Sequence, residues 1–281
     1  MKIISSGSDR SFIIFKDKVI LIDPNKENLR KYVDICYFLQ KKRINVPKIY
    51  KFYPNFVILK NLGRNFYSQI NNGLKEKYLG KYQRILKEIS KVHKIPLNSE
   101  TIKVFNKFFD LRVIRWEWQY FLENYVLNYK GYYGKKLNKW LYFSEVVINS
   151  CHNIFMYHKN LIHRDLQSTN IIFYTKNKPF FIDFQGMMIG NFLYDLASLI
   201  EDPYVSLPYW FKNKLLDYYF KINNSLLPLS RFYKYYKIQR LVQVLGAFAF
   251  LSIHKNKEFF FKHLKNSEIV LRDITIEADY L

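Results

Sequence analysis

Short apolar runs alternate with polar turns through the first sixty residues, a pattern typical of a small β-rich unit. Residues 1–4, 12–15 and 19–22 are predicted to form three strands, separated by turns that contain Ser, Gly, Asp and Lys. Two further strands are predicted at residues 48–53 and 56–59. The pattern thus predicts three strands, an intervening segment, and two more strands.

The segment between the third and fourth predicted strands has apolar residues at helical spacing. Asp23 is predicted to be the N-cap and Pro24 the first helical residue, because these residue types favour those positions. The predicted buried face carries Leu29, Tyr32, Val33, Cys36 and Leu39.

Beyond residue 63 the spacing of apolar residues is helical almost throughout. Helices are predicted at residues 74–93, 105–127 (one or two helices), 142–158, 193–201, 207–221, 232–254 and 258–264. A hairpin, residues 171–174 and 179–182, interrupts them, with a turn at residues 176–178. We therefore predict an α+β chain with a small β-rich lobe at residues 1–62 and a larger helical lobe at residues 63–281.

The residues around this hairpin carry the strongest chemical signal. Residues 163–170 read H-R-D-L-x-x-x-N, and Asp183-Phe184-Gln185 follows the second hairpin strand. These are the catalytic and metal loops of a bilobal, protein-kinase-like fold. Asp165 is predicted to accept the proton of a substrate hydroxyl, and His163 to orient the loop by packing.

The hairpin is predicted to bring Asn170 and Asp183 together as metal ligands. Carboxylate and amide oxygens, with no His or Cys at metal spacing beside them, favour Mg²⁺ that enters together with ATP. The predicted hinge at residues 60–63, including Lys60 and Leu62, would offer backbone groups to the adenine edge. Gly7 and Ser8 would offer N–H groups to the phosphates.

Composition narrows the class of protein further. The 281 residues are 49% hydrophobic and 19% aromatic, which excludes a disordered chain. The net charge of +22 raises the possibility of nucleic-acid binding, but the lysines are scattered rather than gathered in one stripe. A general bias in composition explains this charge better, so nucleic acid is not the expected partner.

Location and assembly are also suggested by the sequence. Cys36 and Cys151 are the only cysteines and lack partners at metal spacing, as in a reduced, cytosolic protein. The N-terminus has no apolar core of a signal peptide, and the longest apolar run, residues 241–253, is too short to span a bilayer. We expect a cytoplasmic monomer without membrane insertion.

The distance between Asp183 and the next predicted helix indicates the kind of acceptor. A helix begins only about ten residues after Asp183, and the A-P-E triplet of protein kinases is absent from the sequence. The chain leaves no room for the long loop that positions a peptide. We therefore predict a kinase that acts on a small molecule.

The sequence resembles the aminoglycoside phosphotransferase and choline kinase superfamily, and within it the bacterial kinases that phosphorylate N-acetylmuramate and N-acetylglucosamine at the anomeric hydroxyl. Besides residues 163–170, the matching positions are Gly7-Ser8-Asp9-Arg10, Asp23-Pro24, residues 46–49, residues 59–63, Trp116-Glu117, residues 182–185, Tyr194-Asp195-Leu196, Asp202, Tyr204, residues 239–241 and Gly246. The resemblance implies ATP-dependent phosphorylation of a sugar hydroxyl.

The phosphate contacts depart from the usual kinase pattern. The third predicted strand, residues 19–22, is aliphatic where most kinases carry a lysine for the α- and β-phosphates. The anomeric sugar kinases that the chain resembles also lack this lysine. Arg10 and Lys18 are the candidates to replace it, and Glu27, its usual helix partner, is expected to be solvated.

Acceptor contacts are less specified by the sequence. Gln185 replaces the Gly of Asp-Phe-Gly and can bond either the metal-site backbone or a substrate hydroxyl. Asp202 is a candidate for binding sugar hydroxyls, and Arg115, like Arg112, for binding a substrate carboxylate. Asp195 is expected to brace the backbone of the catalytic loop.

Two rival hypotheses remain. The first is an aminoglycoside or choline-type kinase. An aminoglycoside is polycationic and would need an acidic acceptor site, so the basic cluster Lys255, Lys257, Lys262 and Lys265 argues mildly against an antibiotic substrate. A non-catalytic pseudokinase or nucleic-acid-binding protein is disfavoured by the intact set Asp165, Asn170 and Asp183.

Overall fold

A computed structural model describes residues 2–5, 10–70, 76–175, 177–255 and 259–277. Sequence-based expectations for Met1, Gly7, Ser8, Asp9, residues 74–75, Lys176 and residues 257–258 lie outside these ranges. The α+β class and the bilobal, kinase-like arrangement are confirmed by the element order.

The N-terminal part is one antiparallel sheet with a helix packed against it. Its strands are β1 (Lys2–Ser5), β2 (Ser11–Ile14), β3 (Lys18–Ile22), β4 (Ile49–Tyr53) and β5 (Phe56–Lys60), in the spatial order β1-β2-β3-β5-β4. Val19 pairs with Leu59 and Leu21 pairs with Val57. Because β3 and β5 lie side by side at the centre, their apolar side chains form one continuous wall.

Helix α1 (Lys26–Lys41) begins two residues later than predicted. Its N-cap is Asn25, whose side chain accepts hydrogen bonds from the amides of Glu27 and Asn28, so the prediction of Asp23 as N-cap is wrong. The five apolar positions predicted to face the core are all buried. Asp23 is instead held by Arg10, as described below.

The remainder of the chain is mainly helical. Its helices are α2 (Tyr67–Ile70), α3 (Leu79–His93), α4 (Ser99–Val104), α5 (Leu111–Phe121), α6 (Lys135–Tyr157), α7 (Phe192–Ile200), α8 (Tyr209–Ile222), α9 (Tyr233–Ile253) and α10 (Phe259–Glu277). A π-helical stretch, Leu122–Tyr129, continues α5. Helix α4 was not predicted, and α10 is much longer than the predicted segment.

Two small strand pairs carry the loops of the site. The predicted hairpin is present as β7 (Ile171–Tyr174) and β8 (Lys178–Phe181). The pair β6 (Asn160–Ile162) and β9 (Met188–Gly190) was not predicted, because three-residue strands give almost no periodic signal. This second pair fixes the chain on both sides: β6 leads into the loop of Asp165, and β9 follows the loop of Asp183.

Two predictions concerned cysteines and membranes. Cys36 and Cys151 are buried thiols that form no disulfide with each other. Within the described ranges, no helix combines the length and the apolar character needed to cross a bilayer.

Helices α5 and α9 approach closely at Gly246. A Cβ atom at this position would lie 3.0 Å from the Cα of Phe121 and 3.1 Å from its backbone nitrogen. Distances this short are tighter than most Cβ contacts, and a side chain at this position would push the helices apart because the obstructing atoms are backbone atoms that cannot rotate away. The close approach fixes the position of α9 against α5. Helix α9 carries Gln239, which contacts Glu117, and Arg240, which contacts Asp165.

We predict that Gly246→Val lowers the free energy of unfolding by about 1–3 kcal/mol, since the added carbons overpack the contact between α5 and α9. Gly80→Val in α3 is the matched control, because nothing lies within 4 Å of a Cβ there. The control is expected to change stability by less than about 0.5 kcal/mol. Urea unfolding of the two variants measures the difference, and equal losses would contradict the packing argument.

Candidate active site

An apolar cleft of about 620 Å³ lies between the sheet and the β7–β8 hairpin. The sheet contributes a wall of aliphatic and aromatic side chains, Phe12, Ile14, Val19, Leu21 and Leu59. The opposite wall contains Asn170, Ile172, Ile182 and Asp183. A cleft with apolar walls that also contains carboxylate and amide side chains has the character of a binding site for a base joined to a charged group.

The hinge forms the rim of this cleft. Leu62 is buried, and within the described ranges no group hydrogen-bonds to its backbone N–H or C=O. The neighbouring Gly63 amide is already bonded to the Asn61 side chain at 2.9 Å. Lys60 also lines the cleft, where its ammonium lies 5.0 Å from the ring centre of Tyr174.

A second cavity, of about 480 Å³, adjoins the first. Arg10, Asp183 and Gln185 line both cavities, whereas Asp165 lines only the second. The shared residues mark the place where the two cavities meet. A group bound in the first cavity can therefore face a group bound beside Asp165.

Asp165 projects from the loop that follows β6, and its side chain is 38% exposed. A nitrogen of the Arg240 guanidinium donates to its Oδ1 at 3.0 Å, and Arg240 also contacts Gln167 and Gln243. Loss of solvent raises the pKa of the Asp165 carboxyl, but the positive charges of Arg240 and Arg164 outweigh this effect. The pKa is lowered overall, so Asp165 is a carboxylate at neutral pH.

The backbone of this loop is held by the buried carboxylate of Asp195 in α7. Asp195 accepts hydrogen bonds from the amides of His163 at 2.7 Å and Arg164 at 2.8 Å, and it also bonds the His93 ring at 3.0 Å. Arg164 needs such support because its φ is +75°, a value that side-chain-bearing residues rarely adopt. The His163 ring is buried and bonds the Ile182 carbonyl, away from the cavities.

Below the loop lies a buried polar network centred on Glu117 of α5. Glu117 accepts hydrogen bonds from the Arg164 side chain at 3.2 Å, the Tyr194 hydroxyl at 3.1 Å and the Gln239 amide at 3.0 Å. Burial raises the pKa of Glu117, while the nearby guanidinium of Arg164 opposes this shift. The network joins α5, α7, α9 and the catalytic loop.

Asn170 and Asp183 lie at the end of the hairpin nearest the catalytic loop. The Asn170 side-chain N–H₂ donates to the Asp165 carbonyl at 2.9 Å, and the Asn170 backbone carbonyl accepts from the Ile182 amide at 3.0 Å. The side-chain nitrogen of Asn170 is thus engaged, which leaves its Oδ1 for the cleft. Asp183 has φ +61°, and Gln185 donates to its Oδ1. Within the described ranges, the Gln185 Oε1 atom is buried without a hydrogen-bond partner.

The turn after Asp183 runs against the catalytic loop. A Cβ atom built on Gly186 would lie 3.8 Å from the Asp165 Oδ2 atom, so the two loops are in close contact. Phe184 points away from the cavities into the core, where it stacks on Tyr32 of α1 with ring centres 4.7 Å apart. This stack connects α1 to the Asp183 loop.

The structure separates the two candidates for a phosphate-binding cation. Arg10 lines both cavities and bonds Asp23 at 2.6 Å, a pair that is largely buried. Lys18 is half exposed, lies 4.0 Å from Asp17, and lines neither cavity. Arg10 is therefore the better placed of the two, and Glu27 is exposed as expected.

Two residues expected to contact the acceptor do not face these cavities. Asp202 is buried and accepts hydrogen bonds from the amides of Ser168 at 2.6 Å and Tyr204 at 2.9 Å, so it supports the backbone after the catalytic loop. Burial raises the pKa of its carboxyl. Arg115 forms a two-pronged ion pair with Glu145 of α6 at 2.8 and 3.0 Å.

The structure also adds residues that the sequence did not assign to the site. Arg240 contacts Asp165 from α9, 75 residues away in sequence. Lys31 of α1 and Lys107, which follows α4, line the second cavity. Residues 239–241 are among the positions that carry the resemblance, but the resemblance assigns Arg240 no contact, and Lys31 and Lys107 lie in no motif. All three enter the site through tertiary packing.

Comparisons with known proteins identify the family of the chain. Residues 2–228 match the model of the family described as "Phosphotransferase enzyme family". The N-acetylmuramate/N-acetylglucosamine kinase of Pseudomonas putida is 27% identical over 86% of this chain and 70% of its own length. The kinase of the same name from Pseudomonas aeruginosa is 24% identical over 86% of this chain and 71% of its own length.

Solved structures show the same fold at lower identity. The ADP-bound aminoglycoside phosphotransferase APH(2'')-Ib has a TM-score of 0.65 at 17% identity, over 95% of this chain and 90% of that chain. An ethanolamine kinase from Plasmodium vivax has a TM-score of 0.68 at 17% identity, over 100% of this chain and 84% of that chain. The chain belongs to the phosphotransferase enzyme family, and it is a phosphotransferase with an alcohol group as acceptor.

Proposed function

We propose that the protein is an ATP-dependent kinase that phosphorylates the anomeric hydroxyl of an amino sugar such as N-acetylmuramate or N-acetylglucosamine. One observation carries the proposal: the Asp165 carboxylate lines a cavity that shares Asp183 and Gln185 with the apolar cleft beside the hinge. The names of the two Pseudomonas relatives support the choice of sugar.

The apolar cleft is the proposed nucleotide site. The adenine ring would lie between Val19 and Leu59 of the sheet and Ile172 of the hairpin. Its edge would bond the Leu62 backbone, whose amide has no other partner among the described residues. Arg10 would contact the phosphates together with the backbone of Gly7 and Ser8, because a guanidinium matches phosphate oxygens in geometry and charge.

Asn170 and Asp183 fit a magnesium ion. The Asn170 Oδ1 and the Asp183 carboxylate are hard oxygen donors, and two such ligands with phosphate and water oxygens complete the coordination that Mg²⁺ prefers. When bound, the ion would neutralise charge on the phosphates. Gln185 would steady the Asp183 carboxylate through its hydrogen bond.

The chemical step follows from the position of Asp165. The acceptor hydroxyl would lie in the second cavity, give its proton to the Asp165 carboxylate, and attack the γ-phosphorus. The new bond joins the acceptor oxygen to phosphorus, and the bond to the β–γ bridging oxygen breaks to release ADP. Arg240 would hold the Asp165 carboxylate in place during the transfer.

An aminoglycoside kinase is the second candidate, since several solved relatives of the same fold carry that name. Asp23 and Asp165 in the second cavity are paired with Arg10 and Arg240, whereas Lys31 and Lys107 form no ion pair within the described ranges, so the charges of these two lysines would oppose a polycationic acceptor. This charge distribution favours the sugar over the antibiotic.

We predict that Asp165→Asn lowers kcat by about 10²–10⁴-fold, because the acceptor hydroxyl loses its proton acceptor. A coupled ADP-release assay with N-acetylmuramate, N-acetylglucosamine, kanamycin and choline measures turnover, and NMR assigns the phosphorylated carbon. Asp217→Asn, at an exposed position of α8, is the matched control and is expected to keep full activity. Undiminished transfer by Asp165→Asn would refute the role of Asp165, and phosphorylation of kanamycin or choline alone would refute the proposed substrate.

The ion pair of Arg240 with Asp165 gives a prediction for pH dependence. Arg240 lowers the pKa of Asp165, so in Arg240→Gln the pKa of that carboxyl is expected to rise. The acid limb of kcat/KM against pH should therefore move to higher pH. Gln243→Ala removes only a neutral partner of Arg240 and should leave the limb in place. An unmoved limb in Arg240→Gln would show that Asp165 does not control it.

The metal assignment is tested by Asp183→Asn, which keeps a residue type that tolerates positive φ. We expect kcat/KM for Mg·ATP to fall by about 100-fold or more, because the ion loses its charged ligand. Binding of adenosine, measured by calorimetry, needs only the apolar cleft and the hinge and should change little. Equal losses for both ligands would show that Asp183 supports the fold rather than the metal.

A further inference from the structure

Two lysines line the cavity that contains Asp165. Lys31 lies on α1 and is partly buried, and Lys107 lies in the segment between α4 and α5. The backbone around Lys107 is fixed, because its carbonyl accepts from the Ile189 amide at 2.9 Å and the Phe109 amide donates to the Ile189 carbonyl at 2.7 Å. The backbone of Lys31 is held within α1 and that of Lys107 by these hydrogen bonds, so both side chains project from well-defined backbone positions.

Two of the three carboxylates that line this cavity have cationic partners, and the third, Asp183, is bonded to the neutral Gln185 amide. Asp23 is paired with Arg10 at 2.6 Å, and Asp165 is paired with Arg240 at 3.0 Å. Asp183 is the proposed metal ligand. In the parts of the chain that the structure describes, neither Lys31 nor Lys107 forms an ion pair, so with Asp183 assigned to the metal the cavity holds two ammonium groups that no carboxylate pairs with.

The two ammonium groups also affect each other. Partial burial lowers the pKa of Lys31, and the positive charge of Lys107 lowers it further. Like charges that face one cavity without a counter-ion are unfavourable, and a bound anion would relieve the repulsion. The arrangement thus favours a ligand with negative charge.

The position of the lysines indicates which substrate would carry this charge. Neither lysine lines the apolar nucleotide cleft, whereas both share the second cavity with the proposed base. The residues expected from the sequence to meet a substrate carboxylate are engaged elsewhere: Arg112 with Asp110 and Arg115 with Glu145.

We propose that Lys31 and Lys107 bind a carboxylate carried by the acceptor, so that the enzyme prefers an acidic sugar to its neutral counterpart. This inference rests on the proposed function and adds to it the charge of the substrate and the residues that select it. The ammonium groups act on binding and orientation of the acceptor, while proton transfer stays with Asp165.

N-acetylmuramate and N-acetylglucosamine form a matched pair of probes, because they differ by a lactyl ether that bears the carboxylate. In Lys31→Gln, Lys107→Gln and the double variant, kcat/KM is measured for each sugar, together with the KM for ATP. We expect kcat/KM for the acidic sugar to fall by about 10–100-fold in the double variant. The neutral sugar should change by less than about threefold, and the KM for ATP should not change.

Lys87→Gln is the control for loss of one positive charge, because Lys87 is exposed on α3 and lines neither cavity. The proposal is overturned if the wild-type enzyme does not prefer the acidic sugar, or if both sugars lose activity equally. A raised KM for ATP in the double variant would show that the lysines bind the triphosphate instead. Unchanged kinetics would show that they are solvated and contact neither substrate, which also overturns the proposal.

Failure of the proposed function would be recognised separately. If the wild-type protein phosphorylates neither sugar, calorimetric titration of both sugars into the wild-type and double-variant proteins still decides the inference. Binding of N-acetylmuramate that is lost in the double variant would support the lysine site without the proposed reaction. Absence of such binding to the wild-type protein would overturn it.

Discussion

The conformation of the loop that carries Asp165 depends on two buried carboxylates, Asp195 and Glu117, that accept hydrogen bonds from it. Asp195 accepts hydrogen bonds from two successive amides of the loop, and Glu117 accepts one from the Arg164 side chain. Together they stabilise a backbone turn with φ +75° at Arg164, a conformation that costs about 1–3 kcal/mol without such support. Because Asp165 follows this turn directly, the position of its backbone is set by two groups that line neither cavity.

Helix α1 contributes a residue to each of the two cavities, Tyr32 to the first and Lys31 to the second. In most kinases a lysine of the third strand pairs with a glutamate of the corresponding helix. In this protein the strand presents the apolar residues Val19 and Leu21 to the cleft, and Glu27 of the helix is exposed. Tyr32 provides a different link, because it stacks on Phe184 beside Asp183. The preceding residue, Lys31, lines the second cavity together with Asp165.

The sequence predicted the fold well because most of its elements carry local signals. The strands of the sheet, the face of α1 and the β7–β8 hairpin follow from periodicity and turn residues within a few positions. The β6–β9 pair was not predicted because each strand has only three residues, which is too short to show the alternation of apolar and polar residues. The two strands are also well separated in sequence, so no turn between them indicates that they pair. Asp23 was misassigned for a related reason: an Asp before a Pro resembles a cap, but its partner Arg10 is a tertiary contact.

The same distinction explains which site residues the sequence indicated. Asp165, Asn170 and Asp183 lie in one motif whose spacing encodes their convergence, whereas Arg240 and Lys107 reach the site only through packing of distant segments. Asp202 shows the opposite case: the sequence suggests a contact with a sugar, but the carboxylate is buried and accepts hydrogen bonds from the backbone amides of Ser168 and Tyr204. Net charge by itself is equally uninformative, because the charge of the cavity that contains Asp165 depends on which of its cations are paired with a carboxylate. Arg10 and Arg240 are, and within the described part of the chain Lys31 and Lys107 are not. The charge available to a substrate is therefore determined by pairing in the folded protein rather than by the count of lysines.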